Sequence, residues 1–199
     1  MNRRPSRPPR AVIFDLDGTL TEPLLDFDAM RAEIGLAPDL PILEQLDAGD
    51  DALRARAEEI LRRHEREAIA RATLAEGCVE LLAHLSRRGI PSAILTRNVR
   101  EVVDTFQTMF NLTFVAVYTR EDGPPKPSPA GALALCAAMG AAPADTLAVG
   151  DYKFDILAGR RAGCFTALVA RTPPDDLADW GPPDLVVPSL RELLPLFDL

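Results

Sequence analysis

Short apolar runs alternate with longer amphipathic stretches along most of this chain. Residues 11–14 (AVIF) are apolar throughout, too few for a helix, and bounded by polar and Gly-containing sequence, which predicts a short buried strand. Further strands are predicted over 90–95 (IPSAIL), 114–118, 146–150 (TLAVG) and 164–169, with a short edge strand over 185–187. Pro91 cannot donate to a ladder and fits only at the beginning of its strand. Between the strands, helices are predicted over 79–88, closed by Gly89, and over 101–109, 129–139, 156–162 and 189–196. Strands and helices in turn predict an α/β protein with a mostly parallel sheet and helices on its faces.

One interval breaks the rhythm. From Leu16 to Gly89 the chain is far too long for a single crossover between neighbouring strands. The first part of the interval is interrupted by Pro23, Pro38 and Pro41, with a short helix predicted over 26–34. The second part, 50–74, is dense in Ala, Leu, Glu and Arg. It carries Leu53, Ala57, Ile60, Leu61, His64, Ala68 and Ile69 at helical spacing, which predicts one long helix. The simplest organisation is a core of 1–21 and 75–199, with a helical subdomain of 22–74 inserted after the first strand. At that point in the chain the insertion is expected to act as a lid that excludes water and selects substrate.

Composition narrows the picture. With 199 residues, 47% of them apolar, the chain supports a sizeable core, and global disorder is excluded. A net charge of −8 argues against a nucleic-acid-binding surface, although a local lysine and a metal can still reverse the field inside a cleft. Cys78, Cys136 and Cys164 are odd in number, widely spaced and set among apolar residues. They read as buried thiols in a reducing, cytoplasmic compartment rather than as a disulfide framework. With no C-x-x-C and only His64 and His84, a structural zinc site is not expected. The opening MNRRPSRPPR is basic and Pro-rich with no apolar segment behind it. It reads as a frayed lead-in rather than a signal peptide, and no run reaches transmembrane length.

The ends of the predicted strands carry the chemistry. In a parallel sheet all carboxyl ends face one crevice, where ligands bind. Asp15 and Asp17 follow the first strand, and Thr96, Arg97 and Asn98 the second. The loop GPPKPSP brings Lys126 ahead of the Ala-rich helix, and GDYKFD places Asp151 just past the fourth strand with Asp155 four residues on. Two carboxylates as close as Asp15 and Asp17 repel unless a proton or a cation relieves them. An attack by Asp15 on phosphorus would leave Asp17 to protonate the leaving oxygen and later to take a proton from the hydrolytic water. Gly18 permits a tight turn and Thr19 adds a hydroxyl; D-x-D-G reads equally as an ordinary acidic turn. An ammonium from Lys126, held between Pro125 and Pro127, would counter the charge of Asp15 and of a transferring phosphoryl group; taken alone, it is a solvated loop lysine. Asp151 and Asp155 can bind a hard cation such as Mg2+ directly or through water, and Asp155 can also cap the next helix. Arg97 suits a carboxylate or a second phosphate on a substrate, or plain exposure to solvent.

In this order, over nearly the whole chain, Asp15-Leu16-Asp17-Gly18-Thr19, Thr96 after SAIL, Lys126, and the run from Gly150 to Asp155 resemble the haloacid dehalogenase superfamily. The likeness is to its phosphatase branch, similar to phosphoglycolate phosphatases. The resemblance implies a three-layer, Rossmann-like core in which Asp15 is the nucleophile, forming an aspartyl phosphate, and Asp17 the general acid and base. It implies that Thr96 binds phosphoryl oxygens and that Lys126 steadies nucleophile and phosphate. Gly18, Thr19, Arg97 and Asn98 are expected to complete the substrate-binding set. Mg2+ is expected at Asp15, at Asp17 through its carbonyl, and at Asp151, with Asp155 acting through water or from behind. Within that superfamily Asp17 favours phosphate ester hydrolysis over halide displacement, and 22–74 resembles a reduced α-helical cap. The expected function is Mg2+-dependent hydrolysis of a small phosphorylated metabolite, with no membrane partner. The alternatives are a phosphomutase of the same fold and a non-catalytic binding protein. A P-loop enzyme is not expected, since G-x-x-x-x-G-K-[ST] does not occur.

Overall fold

The computed structural model describes residues 5, 7–172, 177 and 180–198. Its strands are β1 (Ala11–Phe14), β2 (Ser92–Leu95), β3 (Ala116–Tyr118), β4 (Thr146–Gly150), β5 (Phe165–Val169) and β6 (Leu185–Val187). They form one sheet in the order β3-β2-β1-β4-β5-β6, every neighbouring pair parallel. The helices are α1 (Phe27–Ile34), α2 (Ile42–Asp47), α3 (Asp51–Ile69), α4 (Cys78–Arg87), α5 (Arg100–Phe110), α6 (Ala130–Ala138) and α7 (Lys153–Ala162). The chain divides into two compact units, one of 1–23 with 73–199 and the other of 24–72.

The larger unit is a three-layer α/β fold of the Rossmann type. Central strands β1 and β4 are buried at every position, as a parallel strand covered on both faces must be, which explains why AVIF is apolar throughout and TLAVG is apolar after Thr146. From β1 the chain steps to β2 and β3 in one direction, and from β3 it returns to β4 and moves on to β5 in the other. Right-handed crossovers therefore put α4 and α5 on one face of the sheet and α6 and α7 on the other. Ile13, Ala93, Leu95 and Ala148 pack with Ala132, Leu135 and Cys136 of α6 and Ala158 and Ala162 of α7. Phe14, Ile94, Leu147 and Val149 alternate with those sheet residues and are buried on the opposite face.

The smaller unit is helical. Its core is Met30 and Ile34 of α1, Ile42 and Leu46 of α2, and Ala57 and Leu61 of α3. Asp26 and Asp50 cap α1 and α3 by accepting from the N–H groups of Ala29 (2.9 Å) and Leu53 (2.8 Å). On the surface Glu33 accepts from Arg63 (2.5 Å) and pairs with His64 Nε2 (2.8 Å), linking α1 to α3.

Beyond shifts of two or three residues at the starts of β2, β3 and α7, three elements differ from the sequence reading, each for a local reason. Helix α2 lies in a stretch read as Pro-broken: Pro41 stands at its N-cap, and Ile42 and Leu46 bury one side. Helix α3 ends at Ile69 rather than near Leu74, because the returning chain pairs with the outgoing one. Thr21 and Leu74 form an antiparallel bridge, Glu22 N–H donates to Thr73 O (3.0 Å) and Ala75 N–H to Leu20 O (3.0 Å). The final predicted helix is a 3-10 helix over Leu190–Leu196, tightened where Pro195 removes a donor. Residues 1–4 and 6 of the lead-in lie outside the described residues. Arg7 and Arg10 are tied down: Arg7 pairs with the Asp145 carboxylate, and Arg10 N–H donates to Asp145 O (2.7 Å). Among the described residues no helix is long and apolar enough to cross a membrane.

Candidate active site

Between β1 and β4 the direction of the strand order reverses, and such a switch point opens a crevice at the carboxyl ends of the two strands. Asp15 N–H donates to Val149 O (2.9 Å), so Asp15 stands where the β1–β4 ladder stops. Asp151 leaves the end of β4 beside it.

Asp15, Asp151 and Asp155 each bring one carboxylate oxygen within 4.8 Å of the other two. Lys126 is 3% exposed, and its Nζ lies 2.6 Å from Asp15 Oδ1 and 2.6 Å from Asp155 Oδ1. Asp155 Oδ2 accepts from Tyr152 N–H (3.0 Å) at the start of α7, so this carboxylate caps a helix with one oxygen and holds the lysine with the other. The fully buried Thr19 donates from Oγ1 to Asp151 Oδ1 (3.4 Å). Gly18 has φ +78°, and a Cβ there would overlap the Asp151 carboxylate. A side chain at that position is excluded twice over, by backbone conformation and by space.

One ammonium is set against three carboxylates, and the charge left over shows in the acidities of Asp15 and Asp151. Burial pushes Asp15 up from 3.8 to about 7, against the pull of Lys126 and with a further push from Asp155. Burial, followed by the charges of Asp155 and Asp15, pushes Asp151 up to about 8. Burial alone would lower Lys126, but Asp15 and Asp155 outweigh it and the net shift is upward. An all-oxygen donor set, partly buried and short of positive charge, is what a hard divalent cation fits.

The other residues singled out in the sequence are distributed around this centre. The Asp17 carboxylate is half-buried and is not one of the clustered three, although its charge helps to raise Asp151. Thr96, 2% exposed, follows β2; its N–H donates to Tyr118 O (3.0 Å) and its Oγ1 accepts from Asn98 N–H (3.1 Å). Asn98 is buried, and its carbonyl accepts from Arg120 N–H (3.3 Å).

The sequence model of haloacid dehalogenase-like hydrolases matches residues 37–169. The chain belongs to this family. A haloacid dehalogenase-like hydrolase domain-containing protein of Arabidopsis thaliana is 35% identical to it over 205 residues, covering 95% of this chain and 84% of that protein. The N-acetylmuramic acid 6-phosphate phosphatase of Pseudomonas aeruginosa is 31% identical, covering 95% of each chain. The crystal structure of a hydrolase from Pseudomonas syringae has the same fold, with a TM-score of 0.80 at 23% identity, covering 95% of this chain and 98% of that one. Among haloacid dehalogenase-like hydrolases the chain falls with the phosphatases.

In this haloacid dehalogenase-like hydrolase, Arg97 is engaged by the protein itself. Its Nη1 donates to Lys126 O (2.6 Å), and its guanidinium carbon sits 4.5 Å from the centre of the Phe154 ring. Arg120 in turn donates to Arg97 O (3.0 Å). Neither Phe154 nor Arg120 stood out in the sequence. Phe154 could have, since it lies inside GDYKFD one residue before Asp155; nothing in the spacing of Arg120 marks it.

Proposed function

We propose that the protein is a Mg2+-dependent phosphomonoester hydrolase that acts on a small phosphorylated metabolite through an aspartyl phosphate on Asp15. The observation that carries this reading is the placement of Lys126 between Asp15 and Asp155, with Asp151 in the same cluster, at the switch point of the sheet. Asp15, Asp151 and the Asp17 carbonyl would hold the cation, with Asp155 behind them. Bound there, the cation supplies charge neutralisation for carboxylates and phosphoryl oxygens.

The protein's own groups then divide the work. An Asp15 oxygen attacks phosphorus while the bond to the leaving oxygen breaks, and Asp17 gives that oxygen its proton. Asp17, now a carboxylate, takes a proton from water; the water oxygen attacks phosphorus, the bond to Asp15 breaks, and inorganic phosphate leaves. Lys126 fixes Asp15 and offsets the charge of the phosphoryl group in transfer. Thr96 Oγ1 accepts from Asn98 N–H, which leaves its hydroxyl hydrogen free to donate to a phosphoryl oxygen. Gly18 and Thr19 shape the turn against Asp151. We assign substrate selection to the helical unit of 24–72, inserted directly after the Asp15 turn, as a reduced cap. The three free, buried cysteines support a cytoplasmic setting.

Phosphate release from a panel of metabolite esters, with Mg2+ and with chelator, tests the reading. Release is expected from at least one ester, only with the divalent cation. An isomerised sugar phosphate without inorganic phosphate would contradict hydrolysis and indicate a mutase.

Stability carries a second signature. Carboxylates whose folded pKa is raised favour the folded state below their unfolded value and lose that contribution as pH rises through the folded value. For Asp15 and Asp151 that window runs from 3.8 up to about 7 and about 8. In chelator the melting temperature is therefore expected to fall between pH 5 and pH 8 in this part of its profile, and Mg2+ to raise it more at pH 8 than at pH 5. Thermal melts at both pH values check this; a Mg2+ effect equal at the two, or absent, would contradict it.

Arg97 gives a third. R97A removes the hold on Lys126 O and is expected to lower kcat by roughly 10- to 100-fold, the worth of one charge-assisted hydrogen bond, with KM little changed. Steady-state kinetics decide the point: a raised KM at constant kcat would make Arg97 a substrate ligand instead.

A further inference from the structure

Two of the three cysteines meet. Cys136 Sγ, on α6, lies 4.0 Å from Cys164 Sγ, just ahead of β5, and the Cys136 sulfur also contacts the Thr146 hydroxyl at 3.5 Å. Both are free thiols. A disulfide needs the sulfurs at about 2 Å, so closure requires about 2 Å of approach, shared between two side chains. Both belong to the buried core, and Cys164 is also among the residues that line a surface cavity of about 320 Å3, together with Ala144, Arg160, Gly163, Phe165 and Asp184. That cavity brings a small oxidant to residue Cys164, whose sulfur is in contact with that of Cys136.

We propose that Cys136 and Cys164 form a reversible redox site, which closes to an intramolecular disulfide on reaction with a hydroperoxide. The hydroperoxide oxidises one thiolate of the pair to a sulfenic acid and leaves as hydroxide or alkoxide. The other thiol attacks the sulfenic sulfur, the new S–S bond forms, and water departs with the sulfenic oxygen. Two electrons pass from the thiols to the peroxide, and an external thiol returns them. The contact between the two sulfurs favours one thiolate on the pair: Cys136 is lowered chiefly by its hydrogen bond with Cys164, and the same contact pushes Cys164 up. Cys78 has no such neighbour, and burial pushes it up to about 12, so it is the built-in control. Closure would tie α6, the helix that begins four residues after Lys126, to the entrance of β5. In a reducing compartment such a bond is a transient, switchable one.

The experiment uses the full chain. The native protein is treated with hydrogen peroxide, then unfolded and alkylated, and its peptides are mapped without reduction. The expected result is loss of two of the three alkylatable thiols, a linked Cys136–Cys164 peptide, a free Cys78, and full recovery of all thiols after dithiothreitol. C136S and C164S are each expected to lose the linked peptide. Three free thiols after treatment, equal oxidation of all three, or an irreversible acid at Cys164 with no linked peptide would each overturn the proposal. None of these readouts depends on phosphatase activity, so the two readings fail separately.

Discussion

Asp15→Asn is expected to eliminate phosphate release, lowering kcat by roughly 10^4-fold or more, and at the same time to stabilise the cation-free protein above neutral pH. An amide of the same shape cannot attack phosphorus and cannot carry a phosphoryl group to water. The stability gain has a separate origin. Asp15 is largely buried beside Asp155, and burial pushes its pKa up to about 7, so above that pH the folded protein bears the cost of a charge that water solvates in the unfolded chain. Removing that charge also relieves Asp151, which Asp15 helps to raise. Phosphate assays with thermal melts in chelator at pH 8 check both halves. Parental turnover in D15N would end the covalent mechanism; a D15N protein that melts below its parent would contradict the electrostatic account.

Lys126→Met is the second large effect, and it runs the other way for stability. It leaves Asp15 and Asp155 facing each other without the ammonium that lies 2.6 Å from each. Removing one partner of a buried ionic group costs about 3–5 kcal/mol. Lys126 also lowers Asp15 and Asp151, so without it both carboxyls hold their protons to higher pH, and the loss of stability is expected to deepen as pH rises. A protonated Asp15 is a poor nucleophile. Together with the lost charge on the phosphoryl group, kcat is expected to fall by roughly 10^2- to 10^3-fold. Adding Asp155→Asn removes one of the stranded charges and is expected to recover part of the melting temperature and none of the activity. A K126M protein with parental kcat would show that the ammonium has no part in the reaction.

The central strands were the most legible part of the chain. AVIF and TLAVG are buried at every position, so apart from Thr146, whose hydroxyl donates to Ala142 O, their residues are apolar or Gly and the limits of the strands stand in the sequence. Where local pattern competed with tertiary demands it read less well. Helix α3 could have continued past Ile69 by composition, but residues 73–75 are held by 20–22, a pairing that no local window contains. The six residues of α2 were hidden behind Pro38 and Pro41, although Ile42 and Leu46 have helical spacing.

The site divides in the same way. Asp15, Lys126, Asp151 and Asp155 could be gathered from across the chain because a parallel sheet brings the ends of its strands to one edge. Which atoms they offer one another could not be read. The sequence leaves Asp155 open as a cation ligand or a helix cap; the structure has its Oδ1 on Lys126 and its Oδ2 on the start of α7. The hold of Arg97 on Lys126 O joins residues 29 positions apart and depends on a side-chain direction that spacing does not encode.

The most direct test is to locate the phosphoryl group during turnover. The enzyme is mixed with a labelled phosphate ester and Mg2+, quenched in acid within the first turnover, and its peptides are mapped. The account predicts label on the Asp15 carboxylate, released by hydroxylamine and absent in D15N. Turnover with no labelled peptide, or with the label on any other residue, would contradict it.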